Sequence, residues 1–257
     1  MDLQLPPLRT EHQHYKNESR RAGVITEDWG AENLYCPNCS SNSLTQCPTN
    51  KASIDYTCPS CSAAFQLKSQ KKRFVSRIND AGYYKMIERI ERDGAPNLLA
   101  LEYSPENWTV KNLFLIPSFA FSPSIIEKRK PLSSSAERKG WVGCNFLIGR
   151  IPLEARIHYV LDSKPTSPKR VREKYAALRP LKKLSLEKRG WTLDVLNGIR
   201  SLGKKEFSLA DAYTLEDELH KLHPANRNVQ PKIRQQLQEL RDLSILRFLG
   251  PGRYELR

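Results

Sequence analysis

The spacing of apolar residues along the 257-residue chain predicts helices at both ends and strands between them. Residues 10–33 are rich in charge, yet Val24, Ile25 and Trp29 fall on one side of a helix. Residues 63–68 read as a short strand. Residues two apart on a strand share a face, so Phe65 and Leu67 point to the core while Gln66 and Lys68 project together on the other side. A basic turn follows, Lys68-Ser69-Gln70-Lys71-Lys72-Arg73. Tyr84, Ile87 and Ile90 recur at helical spacing and predict a helix from about Asp80 to Arg92. Residues 97–103 read as a buried strand and residues 108–116 as another, ended by Pro117. Residues 145–148 and 156–161 are the last strands of this part. Strands mixed with helices give an α/β (α+β) class.

Ser163-Lys164-Pro165-Thr166-Ser167-Pro168 punctuates the chain, and a basic helical segment, residues 169–178, leads to Pro180 and Lys182-Lys183. A domain boundary is expected here, giving residues 1–183 and 184–257. The second part is periodic. Residues 191–199 form a helix with Leu196 and Ile199 on one face. Ser208-x-x-Asp211 looks like an N-terminal cap and starts a helix with Leu215, Leu219 and Leu222 in register. After Pro224-Ala225-Asn226, a third helix turns Val229, Ile233, Leu237 and Leu240 inward and Arg227, Lys232, Arg234, Gln235 and Arg241 outward. Two short strands, residues 245–249 and 253–256, are joined by Gly250-Pro251-Gly252. Three helices and a basic hairpin make a winged helix-turn-helix, whose third helix enters the major groove. Arg234 and Gln235 are candidates for base contacts and Arg253, at the hairpin tip, for phosphate. A charged face on an ordinary helical bundle would explain the helices but not the hairpin.

Charge narrows the partner. Forty-two Lys and Arg against 28 Asp and Glu leave a net charge of +14. So basic a chain usually meets a polyanion, and nucleic acid leads. A membrane surface is the rival, but no apolar run approaches a span and no basic amphipathic helix dominates. The N-terminus lacks a basic segment followed by an apolar one, so a cytoplasmic location is expected. Residues 122–141 form a long basic loop that ends in Arg138-Lys139-Gly140-Trp141. Trp141 is either a core residue opening the next strand or a flat apolar surface that the loop lays against a groove edge.

Candidate chemistry concentrates between Cys36 and Lys68. Cys36/Cys39 and Cys58/Cys61 are two Cys-x-x-Cys knuckles with eighteen residues between Cys39 and Cys58. Each turns two sulfurs to one point, so together they supply the four thiolates of a tetrahedral site. A closed four-sulfur site has no open position for water and is a structural staple. Zinc is expected, and spacing does not distinguish it from iron. Knuckles in a chain without an export signal argue for a reducing compartment. Cys47 reads as a plain small residue. Asp55 lies three residues before Cys58, and Gln66-Leu67-Lys68 follows the second knuckle. A carboxylate and an amide oxygen are hard ligands suited to magnesium. Lys68 could orient or deprotonate a water, as metal-assisted phosphodiester hydrolysis needs. The competing reading is a solvated strand face with incidental polar residues.

With these parts in view, the sequence resembles the DpnI-like, methyl-adenine-dependent restriction endonucleases along nearly its whole length. The words that carry the resemblance include Leu34-Tyr35-Cys36-Pro37-Asn38-Cys39, Ile78-Asn79-Asp80, Gly140-Trp141-Val142-Gly143-Cys144-Asn145, Arg189-Gly190-Trp191-Thr192 and Lys232-Ile233-Arg234-Gln235-Gln236-Leu237. The resemblance implies a PD-(D/E)XK nuclease core with a zinc site, followed by a small winged-helix domain. It implies that both domains recognise double-stranded DNA carrying adenine-methylated GATC. Asp55 falls on the family's catalytic Asp and Lys68 on its catalytic Lys. Gln66 falls where the pattern has Glu or Asp, which is a departure. The implied cofactors are catalytic Mg2+, held by Asp55 and Gln66, and structural Zn2+. The resemblance also favours a methyl-contacting role for Trp141, beside Arg138. A monomer is expected. The alternative function is a non-catalytic, zinc-stapled reader of methylated DNA, which Gln66 keeps open.

Overall fold

A computed structural model describes residues 1–48 and 54–257. Residues 49–53, inside the segment between the knuckles, lie outside that description.

The first long helix, α1, spans Glu18–Asn33. It begins eight residues later than the charge pattern suggests, because the Asn17 side chain caps it by accepting the Arg20 N–H. Residues 10–12 form only a turn of 3-10 helix. Strands β1 (Thr45–Gln46) and β2 (Tyr56–Thr57) pair antiparallel and lead to β3 (Ala64–Gln70). Gly30 lets α1 sit on β2. The Tyr56 hydroxyl donates to the Glu27 carbonyl at 2.6 Å, and a Cβ at position 30 would lie 2.3 Å from that hydroxyl. The Thr26 hydroxyl donates to Ser69 at 2.8 Å, so α1 is also tied to β3.

β4 covers Arg77–Gly82, and α2 covers Tyr83–Glu91. The predicted helix therefore loses its first residues to a strand. Residues 77–80 alternate exposed and buried, and they pair with β8 (Gly143–Leu147) before Gly82 ends the ladder. α2 buries Met86 and Ile90, while Tyr84 is exposed, so its inner face is rotated from the expected one. β5 (Asn97–Ser104) is buried along its whole length, and β6 (Thr109–Ile116) returns beside it. The basic loop is shorter than predicted, since β7 (Ile126–Lys128) emerges from it and pairs with β8. β9 (Ile157–Leu161), β10 (Lys164–Pro165) and α3 (Pro168–Leu178) complete this unit.

Among the described residues, seven strands form one mixed sheet in the order β1-β2-β3-β5-β6-β9-β10. Within it β3 and β5 are parallel, with Gln66 beside Leu98 and Lys68 beside Ala100. A second sheet, β4-β8-β7, lies against β3 through Gln66, Lys68 and Asp80.

The C-terminal unit has α4 (Leu186–Ser201), β11 (Glu206–Ser208), α5 (Leu209–Tyr213), α6 (Glu216–Leu222), α7 (Val229–Asp242), β12 (Leu246–Gly250) and β13 (Arg253–Leu256). Ser208 and Asp211 form the reciprocal cap read from the sequence. The single helix expected after it is two short ones, with Leu215 at the break and Leu222 only partly buried. Trp191, Leu196, Ile199, Leu219, Ile233, Leu237 and Leu240 form a core separate from that of the sheets. β12 and β13 are the wing, and β11 extends it.

Polar contacts join the units. Arg189 of α4 is almost fully buried and pairs with Asp93 at 2.5 Å, and Asp194 accepts a hydrogen bond from Ser124 at 3.1 Å. His223 Nε2 lies 2.9 Å from the same Asp194 carboxylate.

Candidate functional site

The four knuckle sulfurs converge. Cys36 and Cys61 Sγ are 3.6 Å apart, Cys39 and Cys58 Sγ are 3.5 Å apart, and all four lie within 4.8 Å of one another. Four sulfurs at about 2.3 Å from a central zinc would be separated by about 3.8 Å, so the cluster fits a tetrahedral ion with little adjustment. Burial opposes ionisation of the Cys58 thiol, but the N–H groups of Cys61 and Ser60 and the neighbouring thiols of Cys39 and Cys61 together bring it down to about 6. Burial pushes the Cys36 thiol up. Arg172 of α3 and Arg179, just after it, hold the knuckle loop through the carbonyls of Cys36, Ser41 and Asn38. Cys47 stands outside the cluster, 3.8 Å from the Thr57 hydroxyl.

Asp55, Gln66 and Lys68 also come together. The Asp55 carboxylate accepts the Leu67 N–H at 2.6 Å through Oδ2. Its carboxyl is raised by burial first and further by the charge of Asp80, while the Leu67 N–H and Lys68 oppose the rise. Gln66 and Lys68 project from the same face of β3, as alternation requires, and both end on Asp80. Gln66 Nε2 donates to Asp80 Oδ1 at 3.0 Å, and Lys68 Nζ lies 2.7 Å from the same oxygen.

Asp80 is the residue that sequence reasoning missed. Its place at the start of an expected helix hid it. Ile78 is followed by two polar residues, so no apolar-polar alternation in the sequence marks the strand. Glu27 of α1 is a second acidic neighbour, raised by burial and then by the Asp55 charge. The donor chemistry suits a hard divalent cation. Asp55 offers a second oxygen, and Gln66, its nitrogen committed to Asp80, offers only its oxygen.

Trp141 is half-buried, is not among the residues of the hydrophobic core, and precedes β8 by two residues. Its ring rests over two glycines. A Cβ at Gly143 would meet it at 2.9 Å and one at Gly82 at 3.5 Å. The Arg138 guanidinium covers the ring at 4.6 Å from its centroid. A cavity of about 600 Å³ runs from this ring past Met86 and Asp80 to Lys68.

On the C-terminal unit, Arg234 and Gln235 stand exposed on the outer face of α7, and Arg253 is exposed on β13, 3.5 Å from Glu206. Lys232, expected outward, is instead drawn in. It pairs with Glu187 at 3.7 Å and lies 5.9 Å from the Trp191 ring centroid. No helix among the described residues is long and apolar enough to cross a membrane.

Comparison with known families gives two adjoining matches. The profile of the DpnI, Dam-replacing family matches residues 4–184. That of the Dam-replacing helix-turn-helix domain matches residues 187–256. The chain belongs to the Dam-replacing family of DpnI, methylation-dependent restriction endonucleases that carry a C-terminal helix-turn-helix DNA-binding domain.

Proposed function

We propose that this protein is a type II, magnesium-dependent endonuclease that hydrolyses double-stranded DNA at GATC sites methylated at N6 of adenine. Residues 1–183 form the endonuclease domain and residues 184–257 the second DNA-binding domain of a cytoplasmic monomer. The observation that supports the reading is that Gln66 and Lys68 both reach Asp80 from one face of β3, while Asp55 accepts the N–H of Leu67 between them. The oxygens of Asp55 and Gln66, with the Leu67 carbonyl, would hold a magnesium ion. When bound, magnesium supplies Lewis-acid stabilisation of the charge developing on the scissile phosphate. Lys68 Nζ would position the attacking water, and could take its proton only after giving up its own. Lys68 is fixed by Asp80 and still 29% exposed, so substrate can reach it.

Recognition is divided. Trp141, stacked under Arg138 at the end of the cavity that leads to Lys68, packs against the methyl group in the endonuclease domain. Arg234 and Gln235 read base edges from α7, and Arg253 contacts phosphate. One buried methyl contributes about 0.8 kcal/mol, roughly a fourfold preference, so reading the mark in both domains multiplies a weak signal.

The test is cleavage of fully methylated, half-methylated and unmethylated GATC duplexes in magnesium, with binding measured in parallel. Cleavage in that order of preference is expected. Tight binding of the methylated duplex without cleavage would instead identify a non-catalytic reader, the reading that Gln66, uncharged at a position where a carboxylate binds metal better, keeps in play.

A further inference from the structure

We propose that Asp80 is a positioning residue of the hydrolytic centre, holding the Lys68 ammonium in place and fixing which end of the Gln66 amide is free to face a metal ion. The inference rests on reading Asp55, Gln66 and Lys68 as that centre.

An amide differs from a carboxylate in having two unlike ends. Only the oxygen can hold a cation, and the nitrogen repels it. Something must therefore set the rotation of Gln66. Asp80 does so, because an ionised carboxylate accepts hydrogen bonds and cannot donate one. Gln66 Nε2 sits 3.0 Å from Asp80 Oδ1, and turning the amide over would place two acceptor oxygens against each other. The same Oδ1 lies 2.7 Å from Lys68 Nζ. One oxygen thus orients both side chains that project from β3.

Asp80 also carries the negative charge that Gln66 lacks. Its side chain has no exposed surface, and its other oxygen, Oδ2, has no hydrogen-bond partner. The Gln66–Asp80 pair, hydrogen-bonded and singly charged, stands in for the lone carboxylate of the usual pattern.

The test uses the full-length chain as wild type, Asp80→Asn and the exchanged double variant Gln66→Glu/Asp80→Asn. Mn2+ binding is titrated by electron paramagnetic resonance on protein without DNA, after the zinc content of each sample has been matched. Thermal melting reports folding. Asp80→Asn should weaken Mn2+ binding by about 10–100-fold, as loss of an orienting partner does. The exchanged variant restores one charge and one amide-carboxylate hydrogen bond, and should recover most of the loss. A folded Asp80→Asn protein with wild-type Mn2+ affinity overturns the proposal, as does a folded exchanged variant with no recovery. If Asp80→Asn does not fold, a folded exchanged variant that binds Mn2+ supports the proposal. A chain that folds in neither form makes Asp80 a structural anchor and overturns it. Because Mn2+ binding is read without DNA, failure of the wild type to cut would count against the endonuclease reading and leave this inference standing.

Discussion

The proposed hydrolytic centre and the outer face of α7 use charge in opposite ways. At the centre, Asp80 has no exposed side-chain surface and is bound to both Lys68 and Gln66. On the C-terminal unit, Arg253 keeps 68% of its side chain exposed, and Arg234 and Gln235 stand in water on α7. The difference follows from what each must do. Groups that act on a phosphate are effective when they are fixed before substrate arrives. Groups that read a duplex exchange solvent and counterions for base edges and phosphates on binding, so exposure in the free protein suits them. Changes at the centre should therefore alter chemistry with little effect on binding, and changes on α7 or the wing should do the reverse.

The largest expected effect comes from the four-cysteine cluster, the proposed zinc site, which lies wholly in the first unit. Small zinc peptides draw about 10–16 kcal/mol from their metal at neutral pH, comparable to or above the roughly 5–15 kcal/mol that holds a typical domain together. Cys58→Ser should lower the metal content measured by elemental analysis and unfold or strongly destabilise the sheet unit. The C-terminal unit has its own core and no cysteine beyond Cys144, and should keep its melting transition. Loss of both transitions together would mean that the units are not separable in the way the two cores suggest.

Next in size is Asp55→Ala or Lys68→Ala, each expected to reduce single-turnover cleavage by at least about 100-fold. DNA affinity, measured by fluorescence anisotropy, should stay close to wild type. A comparable fall in affinity would erase the contrast between the two regions.

Arg234→Ala should weaken binding by about 1–3 kcal/mol and relax preference at the base it contacts. Arg253→Ala should weaken binding to all sequences alike and lower the slope of log affinity against log salt by about one. Competition binding over a salt series separates these two outcomes. Trp141→Ala should have the smallest effect, about fourfold per methyl in cleavage preference, while the isolated C-terminal unit keeps whatever methyl preference it has. Unchanged rate and selectivity would leave Trp141 as packing against Gly82 and Gly143.

What was legible in the sequence follows from the range of the forces involved. The knuckle spacing, the Ser208–Asp211 cap and the alternation of Gln66 and Lys68 are local, and a short window of residues shows them. The wing could also be read, because helices with one apolar stripe followed by a Gly-Pro-Gly hairpin leave few other arrangements. Asp80 was not legible. Its strand forms because β8 arrives from more than sixty residues away in the chain, and local spacing near Tyr84 and Ile87 favoured a longer helix. The inward turn of Lys232 was missed for a similar reason, since Glu187 and Trp191 lie on another helix. The seat of the Trp141 ring was not legible either, because the glycines beneath it come from two different strands.

The central claim is that hydrolysis is carried out by the cluster on β3 and β4. Its most direct test is digestion of adenine-methylated plasmid in magnesium by wild type and by Lys68→Ala, each at a concentration that saturates the DNA. The account predicts cleavage by the wild type and intact, bound plasmid with the variant. Cleavage at the wild-type rate by Lys68→Ala would contradict it, because the reaction would then belong to another part of the molecule.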